Sequence, residues 1–359
     1  TYKEALGYLK DLIVQYIPKY YDEADMQMLE REVVEIGDNV AVLSFVSKKI
    51  DPLLGCITEG LEMAEGSRLE MLLNPSDNRF RMRASSEYLM HHNYLAANID
   101  VSAGNESDSL AVTMAAEDLY AGMLHFSGVQ LRGGAKDNNI DVDAVFADAS
   151  RDLYGELSAN AAISRKNNVR NIDISLNQSS VSSGETIWDI TTEGITITPK
   201  RANIRNFRIQ SDTQELFVDG IVSDRAQDSV YMGLRNFALS PITQLTSRIG
   251  YEVKGYTNGY AMVHSALKDT RIAARIELDS LNVSGVNIPN LLLTSKWDFG
   301  RSRASLDIST LADNKRVIQG YFAPSQSRYY ARMQTEGVKL KLLDPVLSGV
   351  ITDTEGTAK

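Results

Sequence analysis

From Asp38 onward the chain alternates apolar and polar positions with a period of two. Arg79-Phe80-Arg81-Met82-Arg83-Ala84 is one run, and Ile140-Asp141-Val142-Asp143-Ala144-Val145 is another. Others are Val169-Arg170-Asn171-Ile172-Asp173-Ile174-Ser175-Leu176, Arg271–Leu278 and Arg303–Ile308. Each presents one apolar and one polar side, as a half-buried β-strand requires. Turn signals punctuate the runs at Gly133-Gly134, Asn138-Asn139, Ser183-Gly184, Asn258-Gly259 and Asp313-Asn314. Connections this short leave no room for crossover helices, so sequence neighbours pair antiparallel. The pattern predicts roughly 20–25 strands in a mainly-β, curled and elongated sheet. No shift of composition divides residues 38–359, which read as one continuous sheet.

The period differs before residue 38. Leu6, Leu9, Ile13, Tyr16 and Tyr20 recur at helical spacing, which predicts a helix over 2–21 that Pro18 ends or kinks. Residues 23–35 predict a short acidic helix, so 1–37 form a helical N-terminal segment. The chain opens inside this pattern and closes on Gly356-Thr357-Ala358-Lys359 without a terminating feature. It reads as a stretch truncated at both ends relative to a longer parent.

Charge removes several functional classes. The formal net charge is −10. Nucleic-acid binding needs clustered Lys and Arg to displace counterions, and the bases here are spread singly along strands. Cys56 is the only cysteine, flanked by Leu53, Leu54 and Ile57, and reads as an inert buried thiol. No apolar run reaches the roughly 18–20 residues of a transmembrane helix.

Candidate chemistry is sparse. His91-His92 in a strand would face opposite ways, so the pair is not expected to chelate one ion. Asp141 and Asp143 share the polar side of a strand, which makes a solvated face and not a calcium loop. There is no Gly-x-Ser-x-Gly elbow, Walker loop or dinucleotide fingerprint. No catalytic residue, metal site or cofactor is expected, and the chain does not read as an enzyme.

What remains is the apolar side of the sheet, which must be buried somewhere. Either the sheet closes on itself around a filled core, or it curls into a trough that something else covers. The lining candidates are Leu216, Val218, Ile272, Ile276, Leu278, Val283, Leu306, Ile308, Leu340 and Leu342. Their neighbours Arg271, Arg275 and Glu277 are expected nearer solvent.

A loose repeat runs through the same region. Gly233-Leu234-Arg235-Asn236-Phe237-Ala238-Leu239-Ser240-Pro241-Ile242 aligns with Gly337-Val338-Lys339-Leu340-Lys341-Leu342-Leu343-Asp344-Pro345-Val346. Ile50-Asp51-Pro52-Leu53 echoes the unit, and a glycine follows each proline downstream, at Gly66, Gly255 and Gly356. This cadence resembles the TamB and AsmA-like family, the translocation and assembly module proteins, of a diderm bacterium of the Bacteroidetes type.

The resemblance implies a "β-taco" in the periplasm, tethered to the inner membrane in the full-length protein. Its apolar groove would carry phospholipid acyl chains towards the outer membrane, with a TamA-like outer-membrane barrel as partner. Exposing a 16-carbon chain to water costs roughly 12 kcal/mol at ~0.8 kcal/mol per CH₂, and a continuous apolar trough avoids that cost. Two other readings stay open: an assembly chaperone for outer-membrane or secreted β-proteins, and a filled β-solenoid serving as a structural or adhesin module.

Overall fold

The computed structural model of the chain describes residues 14–21, 40–47, 60–121, 124–148, 153–239, 252–268, 270–298, 303–311, 316–325, 328–335, 338–339 and 356–358. It is mainly β and divides into two compact units, residues 1–199 and 200–359. The alternation runs through residue 199 without marking that division.

The strands of the first unit are β1 (Ala41–Val46), β2 (Leu61–Met63), β3 (Arg68–Asn74), β4 (Arg79–His91), β5 (Tyr94–Ser107), β6 (Ser109–Ala121), β7 (Leu124–Lys136), β8 (Asn139–Asp148), β9 (Leu153–Lys166), β10 (Val169–Leu176), β11 (Ser180–Ser183), β12 (Thr186–Thr191) and β13 (Gly194–Thr198). From β3 to β9 they form an antiparallel meander in sequence order. β1 pairs with β3, β2 with the far end of β4, and β10 and β11 share the outer side of β9. Two hairpins close on two-residue loops, Asp137-Asn138 and Asn167-Asn168, all four residues at positive φ. Such turns match the twist of the flanking strands, and Asn and Asp tolerate the left-handed conformation they need.

Register sorts the side chains onto two faces, because directly opposed residues point the same way. Phe45, Leu69, Ala84, Val101, Met114, Leu131, Ala144 and Leu157 form one row across eight strands. The row behind it is Glu70, Arg83, Ser102, Thr113, Arg132, Asp143 and Ser158. One face is therefore aliphatic and the other polar.

The second unit contains β14 (Arg201–Gln210), β15 (Glu215–Ser223), β16 (Ser229–Ala238), β17 (Val253–His264), β18 (Arg271–Val283), β19 (Val286–Asn287), β20 (Leu291–Asp298), β21 (Arg303–Thr310), β22 (Arg316–Ser325) and β23 (Arg328–Thr335). Again the order is an antiparallel meander, with β19 folding back on the end of β18 so that β20 pairs beside it. A separate two-stranded ladder joins β24 (Val338–Lys339) to β25 (Thr357–Ala358). Three register shifts fall beside Asn206, Asn236 and Ser280, all at positive φ. Their backbone N–H groups donate to Asp219 Oδ1 (2.9 Å), Asn258 Oδ1 (2.7 Å) and Asn290 Oδ1 (3.1 Å). Bulges bend a strand and tighten its twist, and these supported bulges curl the sheet.

Two predicted turns lie inside strands instead. Gly133-Gly134 sits within β7, opposite Val142 and Asp141, because the chain reverses three residues later at Asp137-Asn138. Asn258-Gly259 sits within β17, where Asn258 caps the Asn236 bulge. Of the expected N-terminal helix, residues 14–16 are helical and Pro18–Tyr20 form a 3₁₀ turn, as a proline imposes. Residues 2–13 and 23–35 lie outside the described residues, as do Cys56, Asp313-Asn314 and the motif prolines Pro52, Pro241 and Pro345. Among the described residues no helix is long and apolar enough to cross a membrane.

Candidate functional site

The apolar face of the second unit gathers most of the residues that the alternation singles out. Its central row is Ile209, Leu216, Leu234, Gly259, Ile276, Leu293, Ile308 and Ile318. Val218 and Leu306 lie in the adjacent row, with Met232, Ala261, Ala274 and Ser295 between them. Ile272 opposes Val263, Leu278 opposes both Thr257 and Leu291, and Val283 opposes Val253 beyond the Ser280 bulge. Leu278, Val283 and Ile308 pack on the buried trio Leu239, Leu281 and Leu291. Leu340 and Leu342 lie outside the described residues.

Arg271, Arg275 and Glu277 occupy the other face, as alternation requires. Ala273 goes with them, and Ala274 with the isoleucines. The polar face also holds its own ion pairs: Glu215 accepts from Arg208 and, at 3.2 Å, from Arg235. The Arg208 guanidinium lies 4.6 Å from the Phe217 ring centre.

The depth of burial is informative. Leu216, Val218, Ile272, Ile276, Leu278, Leu306 and Ile308 are all half-buried. So are Val101, Met114, Leu131, Ala144 and Leu157 in the first unit. Two packed sheet layers would bury such central positions fully. Here full burial is confined to smaller clusters, such as Ala96, Ile99, Ala116 and Val129.

The sequence does not single out the first unit's apolar face residue by residue, although its alternation is as regular as that of the second. One covering element leaves no comparable trace. Tyr16 packs into the cluster of Met71, Leu73, Phe80 and Ala135, and its hydroxyl accepts from Asn105 Nδ2 at 2.9 Å. Nothing in the spacing of Tyr16 distinguishes it from any other helical apolar position.

The polar face of the first unit carries an open depression of about 540 Å³, bordered by Arg68, Arg83 and Arg132 with Glu70 and Asp100. Mixed charge and two mutually bonded hydroxyls, Ser102 and Thr113 at 2.7 Å, give it no reactive pair. His91 and His92 depart from the expected arrangement. His92 has left the strand for a turn at φ +54, which brings the two rings to 4.3 Å. Among the described residues no group of three or more His, Cys, Asp or Glu is placed to hold a metal ion. No protein-family model, curated protein or solved structure matches the chain.

Proposed function

We propose that the chain is part of a lipid-transfer conduit of the TamB and AsmA-like type. In this reading its apolar faces carry phospholipid acyl chains between the inner and outer membranes of a diderm bacterium. The protein works in the periplasm beside an outer-membrane barrel and performs no covalent step. The supporting observation is the half-buried row without a charge that crosses seven strands from Leu69 to Leu157 in the first unit and eight from Ile209 to Ile318 in the second, aliphatic throughout except for Gly259. A pocket that selects one ligand needs a few convergent polar groups. The rows offer instead a run of equivalent aliphatic surfaces, which suits a chain of CH₂ groups in any position along it.

Photo-crosslinkers at Ile276 and Arg275 test this reading, because the two positions are adjacent and lie on opposite faces. Expressed in a diderm host, the Ile276 derivative captures phospholipid and the Arg275 derivative captures little. Equal capture at both overturns the assignment.

A second reading, a chaperone that offers a sheet edge to unfolded β-strands, is favoured by β1. Among the described residues β1 pairs only with β3, and Val42 is 72% exposed with Phe45 and Val46 also exposed. An open apolar edge is a template for another strand.

A further inference from the structure

An amphiphile whose tail lies on a curled sheet must bring its headgroup out past one of the two rims formed by the strand ends. In the first unit those rims are unlike. The rim at the β3–β4, β5–β6, β7–β8 and β9–β10 turns is crossed by residues 14–21. Asn78 Nδ2 donates to Gln15 Oε1 (2.9 Å), and Asn138 N donates to the Tyr16 carbonyl (2.8 Å). Lys19 N donates to Asn138 Oδ1 (2.7 Å), while Arg165 Nε and Arg170 Nη1 donate to the carbonyls of Lys19 (3.1 Å) and Tyr20 (3.2 Å). Arg170 also lies over the Tyr20 ring at 4.1 Å. The Tyr16 hydroxyl, held by Asn105 near the end of β5, completes the attachment to all four hairpins. Tyr16 itself, 6% exposed, fills the apolar face behind that rim.

At the other rim Tyr94 opens β5 on the apolar side at 58% exposure, while the exposed Tyr88, Tyr120 and Tyr154 stand at the same strand ends on the polar side, in register with or next to Asp118. Tyr120 stacks on His125 at 4.3 Å between centroids, and His125 Nε2 is 2.7 Å from Asp118 Oδ1. Tyr94 joins an apolar ring to a polar tip on the groove side, the composition that sits stably where acyl chains meet headgroups.

We infer that residues 14–21 seal one rim of the first unit, and that a phospholipid in the groove presents its headgroup at the opposite rim, where Tyr94 stands. This rests on the acyl-chain reading above. Leaving the headgroup hydrated at one rim only would fix the side from which lipid is loaded and released.

Two photoreactive lipids in phosphatidylethanolamine and phosphatidylglycerol vesicles separate the inference from the reading beneath it. One carries a diazirine in the acyl chain, the other a diazirine on the headgroup, and labelled peptides of the full chain are mapped by mass spectrometry. The acyl probe is expected on β5–β7 at Val101, Met114 and Leu131. The headgroup probe is expected on the peptide holding Tyr94, roughly ten-fold above those holding Asn78 and Asn139, a ratio equal to about 1.4 kcal/mol of preference. Tyr16→Ala, or Arg165→Ala with Arg170→Ala, should add headgroup labelling at Asn78 and Asn139 while circular dichroism stays unchanged. Absence of acyl labelling defeats the groove itself. Acyl labelling with equal headgroup labelling at both rims, or no gain in either released variant, overturns the sealed rim alone.

Discussion

Gly259 sits at the middle of the second unit's apolar row, between Leu234 on one neighbouring strand and Ile276 on the other. Its φ is +130°, and a Cβ there would lie 2.1 Å from the Arg275 carbonyl oxygen and 2.9 Å from Ile276 Cα. Both atoms belong to backbone, which cannot swing aside as a side chain can. Gly259→Ala is therefore expected to cost at least about 2 kcal/mol, the strain of a non-glycine residue in that region plus the overlap. Gly128 is the control, with φ +59 and nothing within 4 Å of where a Cβ would stand. Gly128→Asn should be nearly neutral, since Asn tolerates the left-handed conformation. Calorimetry compares the two: a lowered transition for Gly259→Ala alone fits, and equal transitions would discount the close approach. Reading Asn258-Gly259 as a hairpin turn recognises the right chemistry, positive φ and a side-chain acceptor, but the acceptor supports a bulge in the neighbouring strand and Gly259 stays in the ladder. Only the cross-strand partner tells the two uses apart, and the local sequence does not show it.

Strands are the most legible elements. Alternation locates β4, β8, β10, β18 and β21, because burial on one face forces a period of two and a one-residue slip would reverse it. The bulges are not legible, since Asn206, Asn236 and Ser280 look like ordinary polar positions until Asp219, Asn258 and Asn290 are set against them. Edge status is equally hidden: Ala41–Val46 reads as any other apolar strand, yet it leaves Val42 and Phe45 exposed. Most edge strands blunt themselves with a charge, often Lys. Val42→Lys, at a largely exposed position, should change stability within about 0.5 kcal/mol. If β1 receives client strands, the substitution should abolish capture of an unfolded outer-membrane β-barrel protein while leaving phospholipid capture at Ile276 intact. Undiminished client capture would remove β1 from that role and with it the observation that favours the chaperone reading.

At the scale of the molecule, an apolar face that carries acyl chains would act either as a track or as a set of separate pockets. The sequence makes the face visible through its aliphatic positions, but not how deeply each is buried, which depends on curl and therefore on the hidden bulges. Leu306 is half-buried in a row with Val218, Met232 and Ala274, and Val283 lies at the Leu239–Leu281–Leu291 cluster. Truncation should be mild at the first site: Leu306→Ala costs less than the roughly 2–5 kcal/mol of a fully buried leucine, because part of the side chain already meets solvent. A carboxylate is different in kind. In Leu306→Asp the folded chain can turn the new carboxylate towards water at little cost, but an acyl chain drawn across it would have to desolvate an unpaired charge, a cost of several kcal/mol. Leu306→Asp and Val283→Asp should therefore leave protein levels and circular dichroism near normal while slowing phospholipid movement between membranes. A track fails wherever it is interrupted, so either substitution alone should suffice. Normal transfer in a folded Leu306→Asp variant would remove that row from the path, and normal transfer in both variants would defeat the track.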